Sequence, residues 1–221
     1  ALQGAIGWIM VVSGLSGDEI YVKPAKLALH FVLALGLLAY TFWFALELLV
    51  PKDKIVFSQK AGRQTNWIIG LLLIQLVYGA FMAGHKAATA APTWPDINGQ
   101  IIPPNMFGQE GGLLDLIDNR ITIHFIHRGL AYLLFFLVIW QAIQLFKIKG
   151  SSLFTNTRWW PALLVTVQVI LGILAVLSST SIVPNHWGQF EWLAQIHQLI
   201  AMFLLLSMIW IRYIVRHHTV N

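Results

Sequence analysis

The chain has 221 residues, 57% of them hydrophobic and only 10% charged, with a mean hydropathy of +0.70. A soluble domain carries about a quarter charged residues, so a soluble enzyme is excluded; the net charge of +5 does not indicate nucleic acid, because the basic residues sit in short loops between apolar runs. Cysteine is absent, which removes disulfides, zinc–thiolate sites and a catalytic thiol.

In chain order, the first apolar run covers residues 1–15 and ends at a turn expected at Gly14 and Gly17. It is as apolar as the later runs but too short to cross a hydrocarbon core, which needs about 20 helical residues. The expectation is that the chain lacks its natural N-terminus. Five further segments have spanning length: 25–50, 66–88, 120–146, 158–178 and 190–215. Between the second and third of these lies a long loop, 86–119, rich in turn formers: Thr93-Trp94-Pro95-Asp96, Pro103-Pro104 and Gly111-Gly112. A loop of this length is commonly functional, and it is expected either to wall a site or to lie at the membrane interface.

Orientation follows from the loop charges. Lys52, Lys54, Lys60, Arg63, Lys147, Lys149, Arg158, Arg212 and Arg216 fall on one side with only Glu47 and Asp53, a net +7. The other side holds five basic and seven acidic residues, a net −2. Cytoplasmic loops collect positive charge, so the first side and the C-terminus are expected in the cytoplasm.

Three helices carry Gln followed four residues later by Gly: Gln3/Gly7, Gln75/Gly79 and Gln168/Gly172. In the first and third a serine follows ten residues after the Gln, at Ser13 and Ser178. Each is followed by a helix with a histidine near its outer end: His30, His127 and His197. The chain therefore reads as three repeated helix pairs, with small residues allowing close approach and Gln bonding across the interface.

Histidine within a membrane is a functional-site hypothesis by default. Of the eight, His217 and His218 lie in a polar tail and His186 in a short outer loop; none is assigned a role. His85 ends a helix and is a candidate contributor to a site. His30, His124, His127 and His197 fit bis-imidazole ligation of a haem in the bundle interior, with Arg128 or Lys26 pairing its propionates at the outer surface. Hydrogen-bonded structural histidines, or a proton or metal pathway, are the alternatives. The residues alone leave His124 and His127 as equal candidates. Axial ligands are consumed in pairs, so three equivalent histidines leave one partner, and one helix pair, expected before Ala1.

The same residues resemble the haem A synthase family. Residues 1–15 resemble its third transmembrane helix, Leu27-Ala28-Leu29-His30 the start of its fourth, and Val77-Tyr78-Gly79-Ala80-Phe81-Met82-Ala83-Gly84 with Thr93-Trp94-Pro95 its fifth helix and outer loop. Phe125-Ile126-His127-Arg128 with Ala131-Tyr132 resembles the sixth, and Ala194-Gln195-Ile196-His197-Gln198 the eighth. The His-Arg pair favours His127 over His124.

The resemblance implies an all-α, polytopic fold of two pseudo-symmetric four-helix bundles. Residues 1–60 would be the second half of a substrate-haem bundle, and 61–221 a complete cofactor bundle. It implies a haem b held by His127 and His197, with Arg128 beside it, and a substrate haem O ligated through His30. The reaction would take the C8 methyl of haem O through alcohol to formyl, giving haem A for cytochrome c oxidase. The opposing histidine and a catalytic glutamate belong to the family's second helix and are not in this chain; nor is the cysteine pair that some members carry. Expected partners are a haem O synthase, an electron donor of unidentified kind and the lipid bilayer, with homo-oligomers possible; the expected location is the bacterial inner membrane, with the haem sites toward the outer side. A di-haem electron-transfer cytochrome and a repeat-built transporter are the rival readings.

Overall fold

The computed structural model describes residues 1–14, 21–104, 106, 112–184 and 186–216. Gly17, Gly111, His217 and His218 lie outside the described residues.

Helices dominate: α1 (Leu2–Val12), α2 (Pro24–Leu49), α3 (Gln59–Gly84), the short α4 (Asp115–Asp118), α5 (Arg120–Phe146), the short α6 (Ser152–Thr157), α7 (Trp160–Ser178) and α8 (Gln189–Ile214). Two two-residue strands, β1 (Val56–Phe57) and β2 (Val215–Arg216), pair in parallel.

Local chemistry sets the helix starts. Pro24 opens α2 at a position where its missing N–H costs nothing. The Ser58 hydroxyl caps α3 by accepting from the Ala61 N–H, and the Asn119 amide oxygen accepts from Ile121 and Thr122 at the head of α5. At α8, the Glu191 carboxylate accepts the Gly188 N–H at 2.9 Å. The cap at Ser58 moves the start of α3 seven residues ahead of the expected 66. Residues 59–66 are mostly polar, so hydropathy alone places the span too late; the expected division at 60–61 falls within the first turn of α3.

Five helical segments among the described residues are long and apolar enough to cross a membrane, with α6 and α7 counted as one. Their most apolar windows are only 11–39% buried in the protein. Most of this surface is apolar and faces outward, as in Leu37, Tyr40, Phe44, Trp67, Phe136, Ile143 and Phe203. Water would not tolerate so large an apolar surface, whereas a bilayer does. The protein is a multi-pass helical membrane protein.

α3, α5, α7 and α8 close into a ring in which each packs on two neighbours. Leu72, Leu134, Val138, Val165, Leu204 and Met208 fill its middle. α2 lies outside, against α3 and α8, and α1 packs on α2. Within the ring, Gln141 of α5 donates to the Thr65 hydroxyl of α3 at 2.7 Å, with both side chains buried.

One end of the ring is basic and tied together. Strand pairing sets Val215 beside Val56, the Arg216 guanidinium meets Glu47 at 2.6 Å, and Arg212 donates to Asn66 at 2.6 Å. Arg158 donates to the carbonyls of Leu145, Phe146 and Ile148, satisfying the C-terminal end of α5. The loop between α2 and α3 and the C-terminal segment thus share one side, as the charge count requires.

Candidate haem site

The ring encloses a cavity of about 470 Å³ toward the opposite end, within the range of small-molecule and cofactor sites. His127 from α5 and His197 from α8 both line it, with Gln75 and Gly79 of α3 and Gln168 and Gly172 of α7. The rest of the wall is largely apolar, including Phe31, Leu72, Val169, Ile173 and Leu204.

Each imidazole is held by the helix that precedes its own. The Gln168 amide nitrogen lies 3.1 Å from His197 Nε2, and His197 Nδ1 lies 3.0 Å from the Gln168 backbone oxygen. A carbonyl can only accept, so Nδ1 carries the proton and Nε2 presents a lone pair. The Gln75 amide nitrogen lies 3.4 Å from His127 Nε2, whereas His127 Nδ1 has no hydrogen-bond partner. Gly172 and Gly79 complete the two cradles: an added Cβ would stand 3.0 Å from His197 Cε1 and 3.5 Å from His127 Cε1.

The first repeat has a related cradle. Gln3 donates to His30 Nδ1 at 3.2 Å and to the His30 backbone oxygen at 3.0 Å, and a Cβ on Gly7 would meet His30 Cε1 at 2.9 Å. His30 differs in offering Nδ1, not Nε2, to the amide. It sits between α1 and α2 and does not line the cavity. The matched serines have no such role: Ser13 and Ser178 each donate to the carbonyl three residues back.

The other candidates fall in different places. His124 is fully buried, lines the cavity, and makes no hydrogen bond at either ring nitrogen. His85 caps α3 away from the cavity, against Phe81 and 3.9 Å from Asp118. Lys26 is half-buried and off the cavity wall, and His186 is exposed. Arg128 is on the wall and buried, but much of its guanidinium is committed to the loop between α3 and α4. It donates to the carbonyls of Asp96 (2.7 Å), Thr93 (2.8 Å) and Ala91 (2.9 Å).

That loop does wall the cavity. Ala88 and Trp94 contribute to its lining, and the Trp94 indole donates to the Tyr132 hydroxyl at 3.0 Å. A tight turn fixes its shape: Thr93 donates to Asp96 Oδ1 at 2.6 Å, and the same oxygen accepts the Gly99 N–H at 2.8 Å. Asp96 is held below the usual carboxylate range, first by the Thr93 hydroxyl, then by the Gly99 N–H, with a smaller contribution from Arg128.

Residues 1–209 match the family model COX15-CtaA, described as cytochrome oxidase assembly protein. The chain belongs to the COX15-CtaA family. Among its relatives, the heme A synthase of Bartonella quintana (strain Toulouse) is 32% identical over 206 residues, 93% of this chain and 55% of that protein. The heme A synthase of Rhodopseudomonas palustris (strain HaA2) is 37% identical over 184 residues, 82% of this chain and 50% of that protein. That of Bradyrhizobium sp. (strain ORS 278) is 34% identical over 208 residues, 93% of this chain and 54% of that protein. The chain spans about half the length of the curated relatives it matches. No solved structure matches it significantly.

In this COX15-CtaA member the donor set suits a porphyrin better than a bare metal ion. Two imidazoles from different helices share a largely apolar cavity, and no three His, Asp or Glu side chains converge as a metal site among the described residues. That Gln and Gly hold the imidazoles emerges only in the folded structure. The signal was present, since each Gln-Gly helix is followed by a histidine helix, but Gln in an apolar helix reads first as packing.

Proposed function

We propose that the chain acts in haem A synthesis, as an oxidoreductase that converts the C8 methyl group of the substrate haem O to a formyl group. The observation that carries this reading is the pair of cradled imidazoles, His127 and His197, on one apolar cavity in a member of the COX15-CtaA family.

In this reading the two imidazoles would hold a haem b, which would supply redox chemistry that no side chain offers. The residues of the chain do the rest. Gln75, Gln168, Gly79 and Gly172 aim the ring nitrogens, the apolar wall excludes water, and the loop carrying Trp94 covers the outer end. Arg128 orders that loop and has donors left for a propionate. His30, cradled by Gln3 and Gly7, ligates the substrate haem on the other side of α2. A haem O synthase delivers the substrate, and an electron donor of unidentified kind works with dioxygen as oxidant, which leaves one oxygen atom on the methyl carbon and the other as water. The protein sits in a bacterial inner membrane, its basic end and C-terminus in the cytoplasm and its haem sites outward; the charge asymmetry supports that orientation.

The test is a reduced-minus-oxidised spectrum of the purified chain, followed by extraction and chromatography of its haems after incubation with haem O. A low-spin haem b signal lost in both His127→Ala and His197→Ala but kept in His30→Ala is the expected result. A protein that binds haem stably and never alters the porphyrin side chain would instead be an electron-transfer cytochrome.

A further inference from the structure

Among the described residues, His124 is the one imidazole of the cavity wall that no cradle holds. It has no exposed surface, and neither ring nitrogen has a hydrogen-bond partner. Burying a polar group unpaired costs about 1–3 kcal/mol, and a neutral imidazole has one N–H to give, so His124 calls for an acceptor. His124 stands one helical turn before Arg128 on α5, and Tyr132 follows one turn later. All three line the cavity, so a stripe of polar groups, two of them N–H donors, runs up a wall that is otherwise mostly apolar.

The charges around this stripe favour an anion. Arg128 uses three N–H groups on the loop carbonyls, and a guanidinium has five. Among the described residues Glu191 is the only acid lining the cavity, and its carboxylate is engaged by the Gly188 N–H at 2.9 Å. The Tyr132 hydroxyl already accepts from Trp94.

We propose that His124 and Arg128 form a carboxylate subsite at the outer end of the cavity, which binds an acidic group of the molecule held between His127 and His197. The proposal rests on the haem reading, in which that group is a propionate. His124 is then a binding residue and not an iron ligand: its N–H donates to a carboxylate oxygen beside the Arg128 fork. His127, one turn away, is left free for the iron.

The experiment titrates the haem-free chain in detergent with haem b and with its dimethyl ester, following the absorption spectrum. Wild type is expected to bind the free acid about tenfold more tightly than the ester, the scale of one charge-assisted hydrogen bond. His124→Leu should lose most of that preference while binding the ester as wild type does, which also shows that the variant is folded. His124→Gln, which keeps a donor, should recover part of it. Equal weakening of both ligands, or an unchanged preference in His124→Leu, overturns the subsite. Failure of wild type to bind either ligand overturns the haem reading itself.

Discussion

The side chain of Gln168 stands 3.1 Å from Nε2 of His197, while Nδ1 of the same ring donates to the Gln168 backbone at 3.0 Å. One residue of α7 therefore sets both the tautomer and the ring orientation of an imidazole 29 positions away. Outer partners of this kind tune a ligand's basicity and aim.

In the haem reading, iron must displace the Gln168 amide from His197 Nε2, while the backbone oxygen of the same residue keeps the tautomer. Gln168→Leu removes the competitor and spares the outer partner, so a haem titration should show tighter binding, by about tenfold at most, the scale of one hydrogen bond. Affinity no tighter than wild type would show that the amide does not compete for Nε2.

The glycines give a graded comparison. A Cβ on Gly172 would crowd His197 at 3.0 Å, whereas one on Gly79 would make ordinary contact with His127 at 3.5 Å. Gly172→Ala should displace its imidazole and cost about 1–3 kcal/mol, the range for an overpacked core. Gly79→Ala should stay close to wild type. Thermal melts and haem occupancy of the two variants, side by side, would check the order.

Arg128 fastens the outer loop through three carbonyls. Hydrogen bonds from a charged group contribute about 1.5–3 kcal/mol each, and a lysine cannot reproduce the fork. Both Arg128→Leu and Arg128→Lys should make the loop between α3 and α4 sensitive to added protease, with Lys intermediate. Wild-type resistance in both would show that the loop is held by other contacts.

Acid should open the same loop through Asp96, whose carboxyl lies below its ordinary value of 3.8. A depressed carboxyl pKa contributes stability above the unfolded-state value, and that contribution disappears as pH falls through the lowered one. The ratio of Asp96→Asn to wild-type cleavage by pepsin should be high near pH 5 and approach one well below about pH 3.8. A ratio independent of pH would exclude the Asp96 turn as the acid-sensitive element.

Deep in the bundle, Gln141 and Thr65 offer a stability test away from the cavity. Interhelical hydrogen bonds in membranes average about 0.6 kcal/mol. Thr65→Val should cost more than that, because it leaves the Gln141 amide unpaired, and Gln141→Leu in the same chain should recover part of the loss. A double-mutant cycle on unfolding in mild detergent reads the coupling; additive single effects would mean the bond adds nothing.

The membrane-spanning fold, the charge asymmetry between the two ends, and the threefold alternation of Gln-Gly helices with histidine helices are all legible in the amino-acid sequence. Each is local: span length depends on a continuous apolar run, orientation on loop charge, and the repeat on spacing within one helix. The start of α3 was less legible, because a serine cap extends a helix through residues whose polarity hides it. Only the tertiary structure decided which groups meet. Gln75 reaches His127 across 52 residues, and Arg128 reaches Ala91 across 37. His124 and His127 are alike as sequence, one turn apart on one helix. They differ because α3 supplies an amide to His127, whereas no hydrogen-bond partner reaches either nitrogen of His124. Those pairings depend on how helices rotate and pack against distant neighbours, and no local pattern encodes that rotation.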